Sequence, residues 1–429
     1  MKKIYSIFLS IMIILSSVGA WAAEYTQIDT VEAGKLLRKD GVSFVDTRSP
    51  DAFNGWALKG EKRGGHIPLA TNLSASWITR DLKRTPEVTA SKGLDKAAIV
   101  VVYGDEAKEN TIVADYLVKA GVKPEAIRIY KDNYKTWAAG ELPVSHLRHY
   151  ESIVPASWLK EQLDSNKAIV IEAAWGKGKK FNEAHIPGAV HLNTDLLESE
   201  KTNWNLLPDS EIVANLLKHG VTADKTAIVY GEVGIDAARA AIAMMKVGVR
   251  DVRMLNGGLD AWRSAGYPLE SGAVTPVPAE NFGNAQPRKN LVINTPEAKR
   301  ILKDPNAELV SIRSWPEYIG ETSGYSYIKP KGRIPGAVWG HCGSDAYNVD
   351  DFRNPDNTMR DYHEIEHIWA QWGITPDKEV SFYCGTGWRA AETLFYALAI
   401  GFDKATLYDD GWFIWSMDPK NPIATGDPK

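Results

Sequence analysis

Cysteine is scarce, with two among 429 residues. That excludes a disulfide-stapled scaffold, a four-cysteine zinc ribbon and an iron–sulfur ferredoxin pattern. An excess of one charge sign is also missing: 50 Lys and Arg face 54 Asp and Glu, a net charge of −4. There is no basic surplus to meet a nucleic-acid backbone or an anionic membrane. Glycine and proline are scattered rather than tracted, which excludes collagen-like and low-complexity classes. Beyond the N-terminus no run is long and apolar enough to span a bilayer. The remainder, 44% hydrophobic and 24% charged, is ordinary globular composition, and the length suggests roughly two to four domains.

The first residues read as an address. Lys2 and Lys3 precede the apolar stretch Ile4 to Leu15, and Ala20-Trp21-Ala22 offers small residues for cleavage. This is the build of a secretory signal peptide over residues 1–23. It predicts an exported protein, in the periplasm, with no stable membrane insertion after cleavage.

The rest of the chain repeats itself three times. Each unit has an apolar strand, a His/Arg-Ile-Pro segment, a second apolar strand ending in Tyr, a helix, a further strand and a Trp. The Ile-Pro segments are His66-Ile67-Pro68, His185-Ile186-Pro187 and Arg333-Ile334-Pro335. The strand-ending tyrosines are Tyr103, Tyr230 and Tyr383, and the closing tryptophans are Trp137, Trp262 and Trp415. Spacings of 127 and 153 residues between those tyrosines mean duplicated domains rather than a solenoid. Alternating strands and helices predict an α/β fold with mainly parallel sheets flanked by helices. The expected domains are 24–149, 150–270 and 291–429, with a proline-bearing linker over 271–290.

The three copies part company just after the Tyr-ending strand. The first continues Gly104-Asp105-Glu106, the second Gly231-Glu232-Val233, and the third Cys384-Gly385-Thr386-Gly387-Trp388-Arg389. Only the third has a nucleophile. Gly385 and Gly387 let the chain curl around the sulfur, so that successive amides form an anion nest. The helix after the loop adds the positive end of its dipole, and Arg389 adds a full charge. Each favours a thiolate, and the same cradle would hold a persulfide anion.

The third copy, Cys384 to Arg389 after Val380-Ser381-Phe382-Tyr383, with Arg333-Ile334-Pro335-Gly336-Ala337 upstream and Asp410-Gly411-Trp412 downstream, resembles a rhodanese domain. The first two copies resemble inactive rhodanese domains, and the likeness runs over roughly residues 28 to 415. The resemblance implies three tandem rhodanese-like domains, each with a five-stranded parallel sheet, in an exported bacterial sulfurtransferase. It implies that Cys384 takes a sulfane sulfur from a donor such as thiosulfate and passes it to cyanide or a thiol. Gly385, Thr386, Gly387, Trp388, Arg389 and Arg313 are the expected substrate-binding residues, and Arg313 reads equally as a salt-bridge partner of Glu317 or a neighbour. No metal or organic cofactor is expected, because the sulfur is carried as a covalent persulfide. Glu317 stands where two-domain relatives place a second donor-binding Arg, and Gly385 is closer to the mercaptopyruvate type, so thiosulfate and mercaptopyruvate both stay open as donors.

Three other readings compete. A Cys-to-Arg loop also occurs in rhodanese-like phosphatases, but those have five residues between Cys and Arg, and here there are four. His363-Glu364-Ile365-Glu366-His367 fits the helical zinc pattern H-E-x-x-H, without a third histidine at the spacing of a metzincin. The three domains could also be a scaffold that relays sulfur between proteins, with little small-molecule turnover. Cys342 reads as a buried thiol, or as a disulfide or resolving partner for Cys384.

Overall fold

The computed structural model describes residues 25–165, 168–232 and 234–428. The signal-peptide reading of residues 1–23 falls outside the described residues. Three five-stranded sheets succeed one another along the chain. The first comprises β1 (Thr26–Ile28), β2 (Val42–Asp46), β3 (Ala70–Asn72), β4 (Ile99–Tyr103) and β5 (Ile127–Tyr130). The second comprises β6 (Ile153–Val154), β7 (Ala168–Ala174), β8 (Val190–Asn193), β9 (Thr226–Tyr230) and β10 (Val252–Leu255). The third comprises β11 (Val292–Ile293), β12 (Ala307–Ser311), β13 (Val338–Trp339), β14 (Glu379–Tyr383) and β15 (Thr406–Tyr408). The spatial orders are β1-β5-β4-β2-β3, β6-β10-β9-β7-β8 and β11-β15-β14-β12-β13, so one topology is built three times. Every pairing within these sheets is parallel. No described helix is long and apolar enough to cross a membrane.

The central strands β4, β9 and β14 are covered on both faces, which is why they read as near-continuous apolar runs. The repeat signature has a physical basis. The Ile67 amide donates to Tyr103 Oη at 3.0 Å, and the Ile186 amide to Tyr230 Oη at 3.2 Å. In the first two domains the strand-ending tyrosine thus ties the Ile-Pro segment over the sheet. The closing tryptophans Trp137, Trp262 and Trp415 are buried and donate Nε1–H to the carbonyls of Pro143, Pro268 and Pro422 at 2.8–2.9 Å. His66 and His185 stack on Phe53 and Phe181 with ring centres 3.8 and 3.9 Å apart, which makes them core histidines.

The domains are fused rather than strung. The largest hydrophobic cluster takes residues from all three, including Phe44, Val229 and Phe382. Its centre is the packing of helix Gly234–Val247 from the second domain on helix Trp388–Ile400 from the third. Polar contacts close the first domain onto the third: Trp77 Nε1 donates to Asp356 at 2.7 Å, and Lys92 pairs with Glu364. His363 sits against His66 at this seam, with Asp361 3.2 Å from its Nδ1, and His367 lies on Gln371. Among the described residues no group of three or more His, Cys, Asp or Glu is arranged to hold a metal. The stretch 271–290 contains no helix or strand.

Candidate active site

Strand β14 delivers Cys384 to its carboxyl end, where the chain turns at once into helix Trp388–Ile400. Cys384 is fully buried. Gly387 caps the helix with φ +83°, and a Cβ there would lie 2.6 Å from Asp409 Oδ1 and 2.7 Å from Arg239 Nη1. Glycine is therefore needed both for the backbone and for the room. A Cβ on Gly385 would run into the ring of Tyr325. The loop is also held from behind: the amides of Trp412 and Phe413 donate to the carbonyls of Cys384 and Gly385 at 2.8 and 3.0 Å. Those carbonyls are thus turned into the next helix, Gly411–Met417. The amides of Gly385 to Arg389 have no acceptor among the described residues. With the end of a 13-residue helix behind them, they are free to meet an anion on the sulfur.

Arg389 is buried and already engaged. Its Nη1 and Nη2 bond the two carboxylate oxygens of Glu317 at 2.9 Å each, and Nη2 also bonds Tyr325 Oη at 2.8 Å. Arg313 approaches the same carboxylate, Nε to Oε1, at 3.3 Å. Burial by itself would raise the Glu317 pKa, but Arg389, Arg313 and the Ser314 hydroxyl outweigh it and hold the group at about 2. The remaining donors of Arg313 go to the carbonyls of Gly332 and Ser323, and Trp412 covers it. Cys342 is buried, is not bonded to Cys384, and donates to the Asn348 carbonyl at 3.0 Å, with Arg389 Nη1 3.8 Å from its sulfur. Burial pushes that thiol well up.

Beside the loop lies a cavity of about 990 Å³ between the second and third domains. Thr386, Trp388 and Arg389 line it, together with Tyr325, Tyr327, Tyr347 and Phe413. Arg313, expected to bind substrate, is not in this lining, because its donors are spent on the protein behind the loop. The second domain supplies Trp175, Trp204 and four carboxylates, Asp195, Glu198, Glu200 and Asp236. Thus the strand-end face of the second domain closes over the strand-end face of the third, where ligands gather in parallel sheets. Trp175 is 73% exposed and Tyr347 67%, so the rim is aromatic and accessible. Burial raises Asp236 to about 7, with Glu172 and Glu392 adding to the effect. Burial and Asp409 likewise raise Glu198 to about 7 against the opposing pull of Arg239.

The Rhodanese-like domain matches three times, over residues 29–140, 155–265 and 294–418. The chain belongs to the rhodanese family. This rhodanese is 43% identical to thiosulfate sulfurtransferase YnjE of Escherichia coli, over 96% of this chain and 95% of that one. It is 31% identical to a probable 3-mercaptopyruvate sulfurtransferase of Pseudomonas aeruginosa, over 58% of this chain and 86% of the relative. The wild-type structure of EanB superposes with a TM-score of 0.90 at 38% identity, covering 95% and 99% of the two chains. An anaerobic ergothioneine biosynthesis enzyme from Chlorobium limicola, solved with its natural substrate trimethyl histidine, gives 0.89 at 38% identity, covering 94% of this chain and 100% of that one. The rhodanese is a sulfur-transfer enzyme.

Of the residues read from the sequence, Cys384, Gly385, Thr386 and Gly387 form the loop and Trp388 and Arg389 the first turn of the helix; Thr386, Trp388 and Arg389 line the cavity, and Cys384, Gly385 and Gly387 do not. The individual residues of the second domain's wall were not read from the sequence. Trp175, Trp204, Glu198 and Asp236 are remote from Cys384 in the chain and carry no motif. The available signal was positional: Trp175 and Asp195 closely succeed strand ends β7 and β8.

Proposed function

We propose that this rhodanese is a thiosulfate sulfurtransferase acting through Cys384, exported to the periplasm. The Cys384 thiolate attacks the outer sulfur of thiosulfate, the S–S bond of the donor breaks, and sulfite leaves with the bonding pair. The enzyme is left as Cys384–S–S⁻. An acceptor nucleophile, cyanide or a thiolate, then attacks the outer persulfide sulfur and returns the Cys384 thiolate. The observation that carries this reading is the cysteine at the end of β14, under a helix N-terminus and beside loop amides that have no acceptor among the described residues. Mass spectrometry after incubation with thiosulfate should show one added sulfur on the Cys384 peptide, and Cys384→Ala should abolish it. Loading from mercaptopyruvate alone would reassign the donor, and no loading from either would sink the enzyme reading.

One observation favours a second acceptor class. The cavity lining holds four acidic side chains, two of them raised to about 7 by burial, and its one guanidinium is bound to Glu317. Aromatic faces and carboxylates attract a quaternary ammonium group. Structures of EanB include one with a cysteine persulfide and ergothioneine. On this reading the acceptor is an imidazole that carries a quaternary ammonium group, of the trimethyl histidine type. The persulfide-loaded enzyme should then turn over with trimethyl histidine faster than with cyanide, and no product from it would return the assignment to small nucleophiles.

A further inference from the structure

We propose that Arg239, carried by the second domain, is a positioning residue for the catalytic loop of the third. This rests on Cys384 being the nucleophile of the proposed reaction, and it assigns the second domain a task in that chemistry.

Arg239 is fully buried on helix Gly234–Val247. Its Nη1 donates to Asp409 at 2.6 Å, its Nε to Glu198 at 2.8 Å, and its Nη2 to the Trp204 carbonyl at 3.1 Å. Two of these engagements lead to the loop. Glu198 uses its other oxygen to accept from Trp388 Nε1 at 2.6 Å, fixing the ring of the first helical residue. Asp409 comes directly after β15 and precedes the turn whose next amides hold the carbonyls of Cys384 and Gly385. The guanidinium itself fills the space beside Gly387, the helix cap. One planar group therefore sets the cap, the Trp388 ring and the rear clamp. A guanidinium can do this because its donors diverge in a rigid fork, which an ammonium cannot copy.

The position is particular to the second copy. Nine residues after the strand-ending tyrosine the three copies have Ile112, Arg239 and Glu392. Glu392 makes the reciprocal contact: its Oε1 would lie 2.9 Å from a Cβ on Gly234, the first residue of the second domain's helix, and it pairs with Arg353. The two helices thus exchange charged side chains across their packing. Only the exchange that runs from the second domain to the third reaches a loop that carries a nucleophile.

The test measures Cys384 itself, independently of any donor. Alkylation of the full chain by iodoacetamide is tracked against pH by mass spectrometry of the Cys384 peptide, for wild type, Arg239→Lys and Glu198→Gln. Arg239→Lys keeps the charge and loses the fork. It should slow alkylation of Cys384 at pH 7 by about tenfold and move the pH profile upward. In the coupled assay kcat should fall similarly while KM stays within about threefold. Glu198→Gln keeps the shape and an acceptor for Trp388, so it carries the same readout if Arg239→Lys fails to fold. Its profile should move in the same direction by less. Profiles for the folded variants that superimpose on wild type would overturn the proposal. A wild-type protein that alkylates normally yet loads no sulfur would instead remove the sulfurtransferase reading and leave this test standing.

Discussion

Glu317 shows how one side chain can change an arginine's role. With its carboxylate against both Arg313 and Arg389, the two cations are tied to the protein rather than offered to a donor. Removing the charge leaves two buried guanidiniums with a weaker acceptor, and Glu317→Gln should cost about 3–5 kcal/mol. The pH dependence has a definite sign. A carboxylate held near 2, against 4.5 unperturbed, contributes stability that is fully present above about pH 4.5. It is lost as pH falls through that window toward 2. Urea unfolding of wild type and Glu317→Gln at pH 7 and pH 3 should therefore show a gap that narrows in acid; a gap independent of pH would refute the assignment. The sequence made half of this readable. Arg313 and Glu317 stand four residues apart, a spacing that brings side chains together on a helical turn. The stronger partner, Arg389, is 72 residues away from Glu317 and joins the pair only through the fold.

At the scale of the element, the repeat was legible because each recurring piece of it makes a local contact within its own domain. Tyr and Ile-Pro make the hydroxyl-to-amide tie in the first two domains, and Trp makes the indole-to-carbonyl tie in all three. The Cys384 loop was legible for the same reason, since its nucleophile, glycines and helix are contiguous. The Arg239 bridge was not, because it joins helix Gly234–Val247 to the end of β15. Nothing in either segment alone distinguishes a buried cross-domain arginine from a solvated one. Tyr230→Phe tests the local tie. It strands the buried amide of Ile186, which should lower stability by about 1–3 kcal/mol. Denaturant unfolding at constant slope measures this, and a loss below a few tenths would mean that water replaces the hydroxyl.

At the scale of the molecule, three copies of one sheet make one body. Helix Trp388–Ile400 buries nearly every side chain it has, including Leu394, Phe395 and Ala397, so it has almost no solvent face. A surface helix of an independent domain would keep a polar stripe. Its covering is helix Gly234–Val247, whose run Ala240 to Met244 is likewise buried. A catalytic domain cut out as residues 291–429 would expose this face directly behind the Cys384 loop. Apolar surface of that extent drives association. The excised domain should aggregate or self-associate in size-exclusion chromatography and alkylate weakly at Cys384. Extending it to residues 150–429 should restore normal thiol reactivity, because that piece returns both the helix and Arg239. A soluble 291–429 fragment with wild-type thiol reactivity would show that the nucleophile needs only its own domain.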